Sequence, residues 1–359
     1  VTSTVNDTLE INAASTSISG INLTSGAGSP GGRFSSSSDI RIRIPASFNA
    51  VWNSASTTIT CAAGNACAKI ATTGVTYESS NKIAVINVIQ NFTSGEWVQV
   101  SGLQMGGFTA VNAATTSIYL RVDGSGDSAD DATDTGTKII KGTLTMQNHV
   151  SGQKNNQFEI DPTSLTAAEL FRFRLVPTGE VMSMTTTTIN ITSVNGIAAG
   201  NVTNARLFDD ENNDGDIDAG EDPVGASGTV SIANGSGTIQ FSGSWTVTST
   251  MDIILRVDVA SIDDGDNFKL EFLTSQFNVT GATSSVTITV TGSSNTINHG
   301  KPRKGTAGGG SATPEGGTPA QGAVQTGGTP GGGSGGEGGE PGGGNQGGGT
   351  PGGGGGEAP

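Results

Sequence analysis

Short runs in which apolar and polar residues alternate strictly, each closed by Gly, Ser, Asn or Asp, recur along most of this chain. The clearest are Ile40-Arg41-Ile42-Arg43-Ile44, Phe171-Arg172-Phe173-Arg174-Leu175 and Phe268-Lys269-Leu270-Glu271-Phe272. A period of two sends successive side chains to opposite faces of an extended backbone, so each run reads as a strand with one face in a core and one in water. Strands are expected at residues 8–12, 17–23, 39–44, 57–61, 69–77, 82–88, 97–103, 117–122 and 138–146. A second set is expected at 157–160, 170–176, 186–194, 203–208, 229–233, 238–242, 253–259, 268–272 and 286–290. Residues 164–169 are the one stretch read as helical, for a single turn. The pattern predicts an all-β chain: two tandem antiparallel β-sandwich (Ig-like) domains at residues 1–147 and 148–297. Ser117-Ile118-Tyr119-Leu120-Arg121-Val122-Asp123 echoes Asp252-Ile253-Ile254-Leu255-Arg256-Val257-Asp258 and suggests shared ancestry of the two.

Beyond them the composition changes. His299-Gly300-Lys301-Pro302-Arg303-Lys304 forms a small basic knot, and the rest of residues 298–359 is Gly with Pro, Thr and Glu. Such a segment is either a flexible, solvated stalk or a set of extended polyglycine threads packed in an assembly. The whole chain has 57 glycines among 359 residues, only 14% charged residues and a net charge of −15. That acidity argues against nucleic acid or an anionic membrane as partner. No apolar run approaches the roughly 20 residues needed to span a bilayer. Opening on Val1 suits a mature secreted chain freed of a leader. In that setting Cys61 and Cys67, with turn-forming Gly64-Asn65 between them, are expected to pair as a disulfide. Zinc would need further ligands, and a redox pair usually has shorter spacing.

Residues 210–221 carry the strongest chemical pattern. Counting from Asp210, side-chain oxygens fall at positions one, three, five and nine: Asp210, Asn212, Asp214 and Asp218. Gly215 takes position six, Asp216 supplies its backbone carbonyl at seven, Ile217 takes eight and Glu221 closes at twelve. A hard cation takes six to eight oxygens, and this spacing is the calcium-loop template. The expected cofactor is therefore calcium. A weaker second loop offers Asp123, Ser125, Asp127, Asp131 and Asp134, without glycine at position six or a terminal Glu.

Flanking the first loop are Thr- and Val-rich extended stretches in place of the amphipathic helices of an EF-hand. The run Arg-Leu-Phe-Asp-Asp-Glu-Asn-Asn-Asp-Gly-Asp-Ile-Asp-Ala-Gly-Glu-Asp resembles strand-connecting loops of secreted bacterial β-sandwich surface and filament proteins. The resemblance implies a structural calcium ion and an extracellular setting, and no activity.

Catalytic signatures are weak. The two histidines are far apart in sequence, Gly332-Gly333-Ser334-Gly335-Gly336 lies in the tail without a strand-turn-helix, and Ser151-Gly152-Gln153-Lys154 is a chance-level S-x-x-K. No enzymatic role is expected. The function expected is a structural subunit of a secreted filament or pilus-like fibre, with self as partner. The alternative is a monomeric adhesin or wall-associated carbohydrate-binding protein, with glycans as ligands. The first 12 residues bear on the choice. Val1, Val5, Leu9 and Ile11 share odd positions, with Ser3 and Asp7 as flaws, so the arm reads as a strand with one buried face. It either pairs at home, as terminal strands usually do, or is donated to a neighbour in an open filament.

Overall fold

A computed structural model describes residues 1–27, 34–113, 116–121, 130–159 and 162–304. Asp123, Ser125 and Asp127 of the second acidic loop, and the tail from residue 305, lie outside the described residues. Val1–Gly305 forms one compact unit. It is all-β as expected, with two separate hydrophobic clusters.

The later half is the simpler. One sheet runs Pro223–Val224, Val202–Asp209, Met251–Val259, Leu165–Thr178, Thr143–Gln147, Val290–Gly292; the facing sheet runs Gly228–Ala233, Ser236–Val247, Met182–Asn195, Asn267–Phe272, Asn295–Gly300, with Phe277–Gly281 also on Met182–Asn195. Their inner faces carry the alternation read from sequence: Phe268, Leu270 and Phe272 are buried, and Phe173 meets Phe272 edge-on at 4.6 Å between ring centres. Each such side chain removed from water contributes about 1.5–3 kcal/mol.

In the earlier half, smaller sheets of four, three and five strands wrap a core that includes Ile21, Ile42, Trp52, Val98 and Met105. Trp52 is buried and its indole N–H donates to the Ile42 carbonyl at 3.0 Å. The disulfide between Cys61 and Cys67 is formed, with Cα atoms 5.7 Å apart.

Several local expectations are corrected. Residues 164–169 form no helix; Leu165 begins the strand Leu165–Thr178. Residues 138–146 are two strands, Lys138–Lys141 and Thr143–Gln147, in different sheets. The break is at Gly142, where a Cβ would meet the Thr178 carbonyl oxygen at 2.6 Å. Its N–H donates to Glu180 at 2.7 Å, and Glu180 also accepts from Thr283 and Ser284. One carboxylate thus ties the crossover between the two cores to a distant loop. Residues 157–159 make a turn. The fold also continues past residue 297: His299 is fully buried, and Lys301 donates from Nζ to the Pro162 and Ile262 carbonyls, each at 3.0 Å. The basic knot therefore begins inside the last strand and its cap.

The amino-terminal arm pairs within its own chain. Thr2–Ser3 lies antiparallel to Ile21–Thr24, and Asp7–Glu10 lies parallel to Lys138–Lys141. The single buried stripe expected for the arm is not there: Leu9 is buried but Val5 is 61% exposed. Residues 4–6 interrupt the strand, and the supposed flaws are what face inward. Lys138, with no exposed side-chain surface, meets Ser3 Oγ at 2.7 Å, Asp7 at 3.0 Å and Asp134 at 3.3 Å.

Candidate metal centre

The strand Val202–Asp209 delivers Asp210 to the edge of the core. Its side chain is 1% exposed, its backbone N–H donates to the Asp252 carbonyl at 2.8 Å, and Oδ2 accepts from the Gly215 N–H at 2.7 Å. Two residues on, Asn212 Oδ1 accepts from the Asp214 N–H at 3.0 Å, and Asp214 Oδ1 accepts from the Asp216 N–H at 2.9 Å. Glu221 reaches back across the loop, taking the Glu211 N–H on one oxygen and the Asp218 N–H on the other. Asn212 Nδ2 donates to both Asp214 and Asp218, at 3.0 and 3.1 Å. The alternate positions picked out in the sequence are therefore drawn into one curled loop. Asp216 is the exception: its side chain is 68% exposed and pairs outward with Lys154, as expected of a position that contributes only a backbone carbonyl. The Lys154 hydrogen bond and charge hold its carboxyl below the usual range.

Gly215 has φ +88°, and a Cβ there would lie 2.5 Å from the Arg172 guanidinium. Two independent reasons, the turn and the close approach, therefore demand glycine at position six.

Whether these residues fit a calcium ion is a question of donors and charge. Every side chain that would contribute is a hard oxygen donor. Asp210 Oδ1 is buried and has no hydrogen-bond partner, a costly state for a carboxylate oxygen unless something satisfies it. Burial, then the charges of Glu211, Glu221, Asp210 and Asp252, push the neighbouring Asp209 carboxyl up to about 6, which marks a strongly negative locus. In the other direction, the carboxylates are turned onto the loop's own N–H groups. Among the described residues no group of three His, Cys, Asp or Glu is gathered at metal-holding distances. Donor set and orphaned oxygen fit the ion; closure around it requires the loop's internal hydrogen bonds to be exchanged for metal bonds.

The loop is braced by residues that sequence spacing does not reveal. His149 is buried beneath Asp210, its Nε2 3.0 Å from Oδ2, close in distance but outside hydrogen-bond alignment. Its Nδ1 accepts from the Ser151 N–H at 3.1 Å. Burial lowers the His149 pKa, against the opposing pull of Asp252 and Asp210. Ser151 Oγ donates to the Asn213 carbonyl, Lys154 bridges Glu169 and Asp216, and Glu169 accepts the Ile217 N–H at 2.8 Å. The S-x-x-K segment set aside as chance is thus a bracket for the loop. The signal available in the sequence was the clustering of rare His and Lys just before a strand, and it has no template.

Of the weaker second set, Asp134 is committed elsewhere. It accepts from Ser3 N–H and Oγ and from Gly136 N–H, and it faces buried Lys138. Burial alone would raise its pKa, but these hydrogen bonds and the Lys138 charge hold it below the usual range. Here it serves as a buried counterion to Lys138. Asp131 donates its N–H to the Leu120 carbonyl in the adjoining strand pairing.

No known family model and no curated protein matches the sequence. Among solved structures, the C-terminal domain of the Streptococcus agalactiae AgI/II polypeptide BspA aligns over 83% of this chain and 96% of its own, at 8% identity and TM-score 0.25. The collagen binding domain of Erysipelothrix rhusiopathiae surface protein RspB aligns over 83% and 95%, at 9% identity and TM-score 0.18. A variant of the enterotoxigenic E. coli adhesin CfaE aligns over 85% and 99%, at 8% identity and TM-score 0.23. At TM-scores this low the likeness extends no function to this chain.

Proposed function

We propose that this chain is a non-enzymatic, extracellular surface protein whose two β-sheet cores form a display module, stiffened by a calcium ion in the 210–221 loop. The observation that carries the reading is Asp210: a buried carboxylate with an orphaned oxygen, at position one of a loop whose remaining oxygen positions are filled in order. The ion would neutralise a crowded set of carboxylates and tie the Val202–Asp209 strand to the short Pro223–Val224 strand that follows the loop. Asp210, Asn212, Asp214, Asp218 and Glu221 would hold it through side chains, and Asp216 through its carbonyl. Calcium titration calorimetry on the intact chain tests this. One equivalent should bind, and Asp218→Ala, at an exposed position, should abolish or strongly weaken it. An unchanged isotherm in that variant contradicts the assignment.

A filament subunit is the second reading, kept by one observation. Among the described residues Asp7–Glu10 pair only with Lys138–Lys141, in a two-stranded parallel ladder, and an isolated two-stranded pairing is weak. Exchange of that arm between copies would break the Ser3, Asp134 and Lys138 cluster and re-form it in a neighbour. Negative-stain microscopy of concentrated protein separates monomers from fibres.

A further inference from the structure

The strand Met251–Val259 is flanked by Val202–Asp209 on one side and Leu165–Thr178 on the other, and both neighbours bulge at the same level. Register slips by one residue between Thr203 and Arg206, and again between Leu165 and Ala168. Within the bulges, Asn204 has φ +53° and Ala167 has φ +52°, a left-handed conformation that is strained for a non-glycine residue. Bulges of this kind re-aim groups at the point where they occur. Here both aim at Asp258: the Ala167 N–H donates to Oδ1 at 2.7 Å and Asn204 Nδ2 donates to Oδ2 at 2.6 Å. The carboxylate is fixed from two sides, and the Ala167 N–H, then Asn204 and the Arg256 charge, hold its pKa below the usual range.

Beside it stand two arginines that are direct register partners, Arg206 and Arg256. Like charges directly opposite each other across a ladder are unfavourable. Arg41, Arg43, Arg121, Arg172 and Arg174 each meet a carboxylate. Arg206 and Arg256 form no such ion pair among the described residues, in a chain with 32 acidic residues to choose from. Arg256 instead lies over the Phe208 ring, 4.0 Å from its centre. The two guanidiniums, Asp258, Asn204 and Ser227 line one cleft of about 390 Å³.

We propose that this cleft binds a carboxylate-bearing sugar unit, with the sugar carboxylate against Arg206 and Arg256 and its hydroxyls donating to Asp258. Paired guanidiniums select a planar carboxylate, which they engage through parallel N–H donors. Asp258 is acceptor-only when ionised and keeps lone pairs beyond the two that Ala167 and Asn204 occupy. A sulfate or phosphate would turn charged oxygens toward it and be repelled. A sugar acid presents its charge on one side and O–H donors on the other, matching the cleft's own division. The site is separate from the calcium loop, so it stands or falls independently of the metal reading.

The test is an amide NMR titration of the isotope-labelled chain in calcium buffer near neutral pH, with D-glucuronate, D-glucose, sodium acetate and sodium sulfate as separate probes. Glucuronate should shift amides at Ala167, Asn204 and Gly228, with glucose and sulfate at least about tenfold weaker. Arg206→Gln, and separately Arg256→Gln, should each weaken glucuronate about tenfold while leaving distant amides unmoved, which shows that the variant is folded. Asp258→Asn should remove the preference for glucuronate over acetate. Absence of shifts at high millimolar glucuronate, sulfate binding as well as glucuronate, or unaltered binding in both arginine variants would each overturn the proposal. Repeating the titration in Asp218→Ala separates its failure from failure of the calcium assignment: the cleft should bind equally in that variant.

Discussion

Two buried ionisable residues show how single side chains set the conditions under which this fold holds. His299 is enclosed, Nε2 sits 2.8 Å from the Leu170 carbonyl and Nδ1 accepts from the Gln157 N–H at 3.0 Å. That arrangement needs a neutral ring protonated at Nε2, since a proton on Nδ1 would face another donor. Burial pulls its pKa down to about 4, from an ordinary 6.5. Below 6.5 the unfolded chain binds the proton that the folded chain refuses. Stability is therefore full above pH 6.5 and falls as pH drops toward 4, by about 3 kcal/mol in all. Urea unfolding at pH 7, 5.5 and 4.5 should show this loss, and His299→Gln, less stable at pH 7, should lack that component. Lys138 presents the opposite case, a buried cation held by Asp7, Asp134 and Ser3. Lys138→Met should cost about 3–5 kcal/mol because it strands the carboxylates. Adding Asp134→Asn and Asp7→Asn should recover part of that loss, as measured by unfolding midpoints.

At the scale of strands, legibility follows from how much of the pairing information is local. Residues 268–272 and 171–175 were legible because one face of each is buried against the opposite sheet, and burial enforces the period of two. Residues 69–77 were not. Cys67–Lys69 is a single 3-10 turn next to the disulfide, Ile70 and Thr73 make only isolated bridges, Gly74 has φ +75°, and the regular strand is Thr76–Glu78. Cross-chain ties decide such places, and a window of sequence does not contain them. The arm failed for a related reason. Its apolar stripe was real in spelling, but Ser3 and Asp7 are drawn inward by a lysine more than 130 residues away, and Val5 is turned out. The metal loop was the most legible site, because its ligand spacing is contiguous. Its brace was hidden, because His149, Lys154, Glu169 and Asp252 arrive from three other segments. The home pairing of the arm yields its own expectation. Deleting residues 1–12 should lower the melting temperature of the first core, since it removes buried Leu9 and uncovers Lys138 and Asp134. Calorimetry checks this; a deletion that leaves melting unchanged contradicts home pairing.

Across the whole molecule, two cores meet at a crossover one glycine long, and the turn at Gly179 packs under Ile11 and Val111 of the first half. The chain carries two sheet cores, with a cleft lined by Arg206, Arg256 and Asp258 on one sheet and an acidic loop continuing from one of that cleft's own strands. On this reading the 210–221 loop holds calcium as a structural ion. Differential scanning calorimetry of the intact chain, in calcium and in chelator, tests it most directly. With free ion about 100-fold above its dissociation constant, linkage adds about 2.7 kcal/mol. For a core of this size that raises the melting temperature by roughly 5–10 °C. That rise is expected for the parent chain and should disappear in Asp218→Ala, whose melting in chelator stays near the parent value. Identical melting of the parent chain in calcium and in chelator would contradict it.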